Sequence, residues 1–123
     1  MLNIFAVGAG GFVGSVCRYL LGLIPVSEMS VFPVKTFMIN ITGCILIGIL
    51  AVTASKSVEM SPQMMLFLKV GLCGGFTTFS TFALETADLM KAGHMGTAFV
   101  YFVLSVLVGV AVIFFVEYLT LKY

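Results

Sequence analysis

The chain has little charge. Of its 123 residues only 9% are Asp, Glu, Lys or Arg, while 61% are hydrophobic. A soluble domain of this size carries about 25% charged residues. So few charges cannot cover a water-facing surface, and lipid is the expected solvent. The net charge is +1, with no basic run and no acidic tail, which removes nucleic acid from the expected partners. No basic stretch precedes the first apolar segment, so a cleaved signal peptide is not expected. The three cysteines, Cys17, Cys44 and Cys73, form no C-x-x-C pair and sit in apolar segments. Small buried hydrophobes are their expected role, rather than a disulfide or a metal site. A P-loop pattern, an internal repeat and a long linker are also missing.

What is present is a set of four apolar stretches, each long enough to cross a bilayer. They run from about Asn3 to Ile24, Phe32 to Ala54, Gln63 to Met90 and Gly96 to Leu119. Pro25, Ser27, Glu28 and Ser30 mark the first connection; Lys56, Ser57, Glu59, Ser61 and Pro62 mark the second. Lys91, Ala92, Gly93 and His94 make a short turn, and His94 is expected to be solvated there. The expected fold is therefore an all-α membrane protein with four transmembrane helices in a single domain.

The third stretch contains Gly74-Gly75-Phe76-Thr77-Thr78-Phe79-Ser80-Thr81-Phe82. Paired glycines and paired β-branched threonines are poor helix formers. A break is expected near residues 74–78. Backbone left unpaired at that depth must be buried in protein or line a wet cavity. Four hydroxyls follow within five residues, and Phe79 and Phe82 share one helix face. An ion site is one reading. The other is a glycine-kinked helix whose Ser and Thr side chains bond back to their own carbonyls.

Polar residues elsewhere are few. In the first stretch Gly10-x-x-x-Gly14 predicts close helix packing, and Arg18 is either paired or snorkels to the interface. Asn40 is the strong polar side chain within the second stretch, flanked by Thr36 and Thr42. Its amide either fixes packing or lines an anion path. Lys69 precedes the break and is expected to snorkel. Glu85 and Asp88 follow it, one turn apart, facing headgroups or a vestibule. In the fourth stretch Tyr101 and Ser105 are one turn apart; Tyr101 faces a polar interior or an interfacial belt.

Gly10-Gly11-x-x-Gly14-x-x-x-Arg18-Tyr19, Asn40-x-x-Gly43 and Gly71-x-Cys73-Gly74-Gly75-x-Thr77-Thr78-Phe79-Ser80-Thr81-Phe82 together resemble the CrcB/Fluc family of fluoride channels. The likeness covers essentially the whole chain. The departures are Lys35 and Phe37, where many relatives carry a small and an aliphatic residue. The resemblance implies an antiparallel, dual-topology dimer of this chain with a second copy or a paralogous chain, in the cell membrane. It implies passive fluoride export through two narrow pores at the dimer interface. It places the pore amide at Asn40, the fluoride-facing rings at Phe79 and Phe82, the hydroxyl track at Ser80 and Thr81, and the fourth-helix tyrosine at Tyr101. It implies a structural sodium ion on the carbonyls of Gly74 and Thr77, with structural roles for Arg18 and Gly75.

Physical chemistry agrees. A small, strongly hydrated anion needs donors to replace its water, and amide N–H, hydroxyls and ring edges supply them. A membrane potential negative inside drives an anion out with no fuel. The alternative is a small proton-coupled exporter of another substrate, which needs an acid deep in a helix; the first helix has none. A third reading is a scaffold that transports nothing. Lys56 and Lys122 fall on one side of the membrane and Lys35 and Lys91 on the other, so the positive-inside rule predicts insertion both ways round.

Overall fold

Among the described residues four helices are long and apolar enough to cross a membrane, the third of them bent in its middle. The computed structural model describes residues 1–26, 30–56 and 60–122. Ser27, Glu28, Ser57 and Glu59, assigned above to connections, lie outside the described residues. Helix α1 spans Leu2–Gly22 and α2 spans Val34–Ser55. Helix α3 starts as an α-helix at Pro62–Met65, continues as a π-helix through Leu66–Cys73 and closes with an α-turn at Gly74–Phe76. Helix α4 spans Phe79–Lys91 and α5 spans Met95–Lys122.

Local chemistry sets the ends. Ser61 is extended, and its hydroxyl accepts the Met64 N–H at 3.2 Å with Pro62 in the first turn. Between α4 and α5, Gly93 takes a φ of 83°. There His94 N–H donates to the Leu89 carbonyl at 2.9 Å and Gly93 N–H to Met90 at 3.1 Å. A left-handed glycine closes the helix so that its last carbonyls stay paired. At the end of α1 the Lys35 ammonium donates to the Gly22 carbonyl at 2.9 Å. A cation there complements the negative end of the helix dipole. The residue that departs from the family pattern therefore ties α2 to α1.

Helix α1 packs along α3, while α2 and α4 pack against α5. The α1–α3 seam is backbone on backbone. A methyl added at Gly10 would overlap the Phe67 carbonyl, one at Gly14 the Leu72 carbonyl, and one at Gly75 the Gly11 carbonyl. The Gly10-x-x-x-Gly14 spacing therefore works from both sides, with Gly71 and Gly75 as its counterparts. Gly43 plays a similar part in α2, where the Thr77 methyl lies over it. The buried cluster is small: Phe82, Leu89, Ala98 and Tyr101, with Phe32 and Phe37 packed on it. Large apolar side chains such as Phe12, Phe99 and Phe114 face outward, which suits a chain solvated by lipid. Cys73 is buried and Cys44 partly so, but Cys17 is exposed on α1. The expectation of burial fails for Cys17, because the apolar surface of a membrane helix receives a thiol as readily as a core does.

Candidate functional site

The break between α3 and α4 consists of Thr77 and Thr78, both extended, with φ/ψ of −82°/160° and −148°/111°. The N–H groups freed here can each be followed to a partner. The Cys73 carbonyl accepts both the Thr77 N–H at 3.0 Å and the Thr77 hydroxyl at 2.9 Å. Thr78 N–H donates to Asn40 Oδ1 at 2.8 Å, and Asn40 Nδ2 donates to the Thr78 carbonyl at 3.1 Å. The side-chain amide of α2 thus pairs with the broken backbone as a neighbouring strand would. That pairing fixes which way the amide points and leaves one N–H over. Thr78 also caps α4: its hydroxyl accepts the Thr81 N–H at 3.2 Å and donates to the Thr81 hydroxyl at 2.9 Å.

These diversions free two carbonyls. In a continuous helix Gly74 would receive the Thr78 N–H, which goes to Asn40 instead. Thr77 would receive the Thr81 N–H, which goes to the Thr78 hydroxyl. A methyl added at Gly74 would meet nothing within 4 Å, so this backbone borders open space. Both residues line a cleft of about 380 Å³, together with Asn40, Lys69, Phe79 and Ser105.

The structure does not bring all the expected residues to that cleft. Asn40, Phe79 and Phe82 line it; Ser80, Thr81 and Tyr101 do not. Phe79 and Phe82 have ring centroids 5.8 Å apart, yet their settings differ sharply. Phe82 is 6% exposed and Phe79 79% exposed. The Phe82 ring meets Tyr101 edge-on at 5.1 Å and stacks on Phe102 at 6.1 Å. Thr81 is occupied by the cap and Ser80 is exposed. Tyr101 is fully buried, so it does not stand in an interfacial belt.

The tyrosine instead serves an acid. Tyr101 OH donates to Glu85 Oε2 at 2.7 Å and the Thr36 hydroxyl to Glu85 Oε1 at 2.7 Å. One carboxylate therefore joins α2, α4 and α5. From sequence Thr36 is only a flank of Asn40 and Glu85 faces headgroups or a vestibule; their pairing had one signal, an acid inside an amphipathic half-helix. Both border a second cavity of about 330 Å³, with Phe32 and Lys35. Asp88, one turn on, forms an exposed pair with Lys91 at 3.1 Å. Arg18 is half-buried and makes no ion pair among the described residues. The Ser105 hydroxyl is buried and has no partner among the described residues.

The main cleft is mostly apolar, and no Asp or Glu is among its lining residues. Its polar groups are the spare Asn40 N–H, the Ser105 hydroxyl, the Lys69 ammonium and the start of α4. All of these favour an anion. The free carbonyls of Gly74 and Thr77 are the exception, and suit a small cation. No cluster of His, Cys, Asp and Glu side chains able to hold a metal is present among the described residues, so a cation here would rest on backbone oxygen.

Comparison with known proteins agrees with this chemistry. The family model described as CrcB-like protein, Camphor Resistance (CrcB), matches residues 5–116. A protein of Chlorobaculum tepidum named fluoride-specific ion channel FluC is 44% identical over 114 residues, covering 93% of this chain and 90% of its own length. One of Methylobacillus flagellatus with the same name is 46% identical over 111 residues, covering 89% and 87%. One of Agrobacterium fabrum, again so named, is 40% identical over 115 residues, covering 93% and 92%. The matched span reaches into all four membrane-crossing helices and includes the break that Asn40 holds, and the chain belongs to the CrcB family of multi-pass membrane proteins.

Proposed function

We propose that this chain forms a passive fluoride channel, which carries no enzymatic step. One observation carries the reading: the Asn40 amide clamps the broken third helix and still presents an N–H to a cleft bordered by Phe79 and Phe82. A fluoride ion in that cleft trades water for the amide N–H and the positive edge of the Phe79 ring. The start of α4 adds the positive end of a helix dipole. None of these groups is a fixed charge bound to the ion, so entry need not become a trap.

The exposed ring of Phe79 and the open face of Gly74 support a second copy of the chain, or a paralogue, placed antiparallel against this side within the lipid bilayer. The freed carbonyls of Gly74 and Thr77 fit a sodium ion at such an interface, where two copies contribute oxygens. Bound there, sodium would hold the breaks in register; the ion has no part in anion transfer. Insertion both ways round follows from the balance of Lys35 and Lys91 against Lys56 and Lys122.

Fluoride efflux from liposomes containing the purified protein tests the channel. Efflux driven by a potassium-diffusion potential, with no pH gradient, supports it; absence of fluoride movement refutes it. A proton-coupled exporter draws some support from Glu85, an acid held by two hydroxyls within the bundle. That reading requires transport to follow an imposed pH gradient.

A further inference from the structure

Lys69 stands in the π-helical stretch of α3 and lines the main cleft with Asn40, Phe79 and Ser105. It is exposed, and it stands seven residues inside the start of the apolar third span Pro62–Lys91. An ammonium at that depth needs a polar destination. The cleft is one. Among the described residues no acid pairs with Lys69: Glu85 is bonded to Thr36 and Tyr101, and Asp88 is paired with Lys91. No acid lines the cleft either, so its one formal charge is positive. Across the same space the buried Ser105 hydroxyl lacks a partner among the described residues. A cleft holding a cation and an unused hydroxyl is prepared for an anion.

We propose that the Lys69 ammonium collects small anions into the Asn40–Phe79 cleft, raising their local concentration without binding them tightly. This rests on the channel reading above. A charge on a flexible stem at the edge of a low-dielectric cleft focuses the field over several ångström. The flexible stem and compact ammonium keep it from acting as a fixed bidentate ligand. The effect is electrostatic, so it weakens as salt screens it, over ~30 Å at 0.01 M and ~3 Å at 1 M.

The test is fluoride flux into proteoliposomes at limiting fluoride and fixed sodium, with N-methylglucamine gluconate varied from low to high concentration. Parent flux is expected to fall as gluconate rises. Lys69→Gln is expected to lower flux about three- to tenfold at low ionic strength, with the deficit shrinking at high salt or at saturating fluoride. Lys69→Arg keeps the charge and is expected to behave as the parent. A Lys69→Gln protein conducting like the parent at low salt would overturn the proposal and leave a snorkelling lysine. A deficit equal at every salt concentration, or shared by Lys69→Arg, would overturn it in favour of a packing role. Salt-independent flux through the parent overturns it without any variant. A parent that passes no fluoride at all refutes the channel reading itself, which separates the two failures.

Discussion

The α1–α3 seam and the α2–α4 cleft are both built around the same third span, and they hold it by opposite means. The seam removes side chains: Gly10, Gly14, Gly71 and Gly75 bring backbones into contact, and no hydrogen bond is needed. The cleft adds a polar side chain: Asn40 replaces a lost helical partner, while beside the cleft Glu85 gathers Thr36 and Tyr101. The seam tolerates no added volume. The cleft has room for added volume at Gly74 but not for the loss of the Asn40 donor. A glycine motif in this chain therefore has two meanings, depending on which side it faces. Gly75 is packed against α1, while its neighbour Gly74 borders open space.

Substitutions sharpen that contrast. Gly71→Leu should do most damage, because even a methyl there would approach the Val7 carbonyl and Gly10. Overpacking of this kind costs about 3 kcal/mol, and loss of the monodisperse peak on size exclusion would show it. Gly8→Ala, where a methyl would meet nothing within 4 Å, is the control and should elute like the parent.

Asn40→Asp comes next. The shape is kept and Thr78 N–H retains an acceptor, but an oxygen now opposes the Thr78 carbonyl. Leaving that carbonyl unpaired costs about 1–3 kcal/mol. Fluoride flux should be lost while the dimer still forms. Normal flux through this variant would show that the amide donors at the break are dispensable.

The two phenylalanines should then separate. Phe82→Ile removes a buried ring and its aromatic contacts, at about 1–2 kcal/mol. Phe79→Ile touches an exposed ring and should leave stability within ~0.5 kcal/mol of the parent. Both should reduce flux if ring edges contact the anion. Unaltered flux through Phe79→Ile would remove that residue from the path. Tyr101→Phe keeps the packing and deletes one donor to Glu85. Its expected cost is about 1 kcal/mol, measured by thermal unfolding in detergent.

Composition and spacing made the spans legible, because a bilayer demands long apolar runs and such runs cannot be disguised. The break was legible too, from paired glycines and paired threonines of low helix propensity, although Gly74 and Gly75 stay helical and only Thr77 and Thr78 leave the helix. The partners at the break were harder to read. Asn40 lies 38 residues before Thr78, and no local pattern joins them. The π-helical turns of Leu66–Cys73 had no signal in their composition. Thr78 was the exception: a Thr immediately ahead of a helical run is an N-cap signature, here set among three other hydroxyls.

By itself the sequence determined the solvent, the number of crossings and the position of the weak point, since each follows from local propensity and burial of apolar surface. Only the tertiary structure decided what each polar group does. It set Asn40 against the Thr78 backbone, withdrew Tyr101 from the cleft to serve Glu85, and buried Phe82 while leaving Phe79 open. The reason is physical: in a medium without water a polar group takes whichever partner the packing brings within hydrogen-bond reach, and packing is a property of the assembled helices.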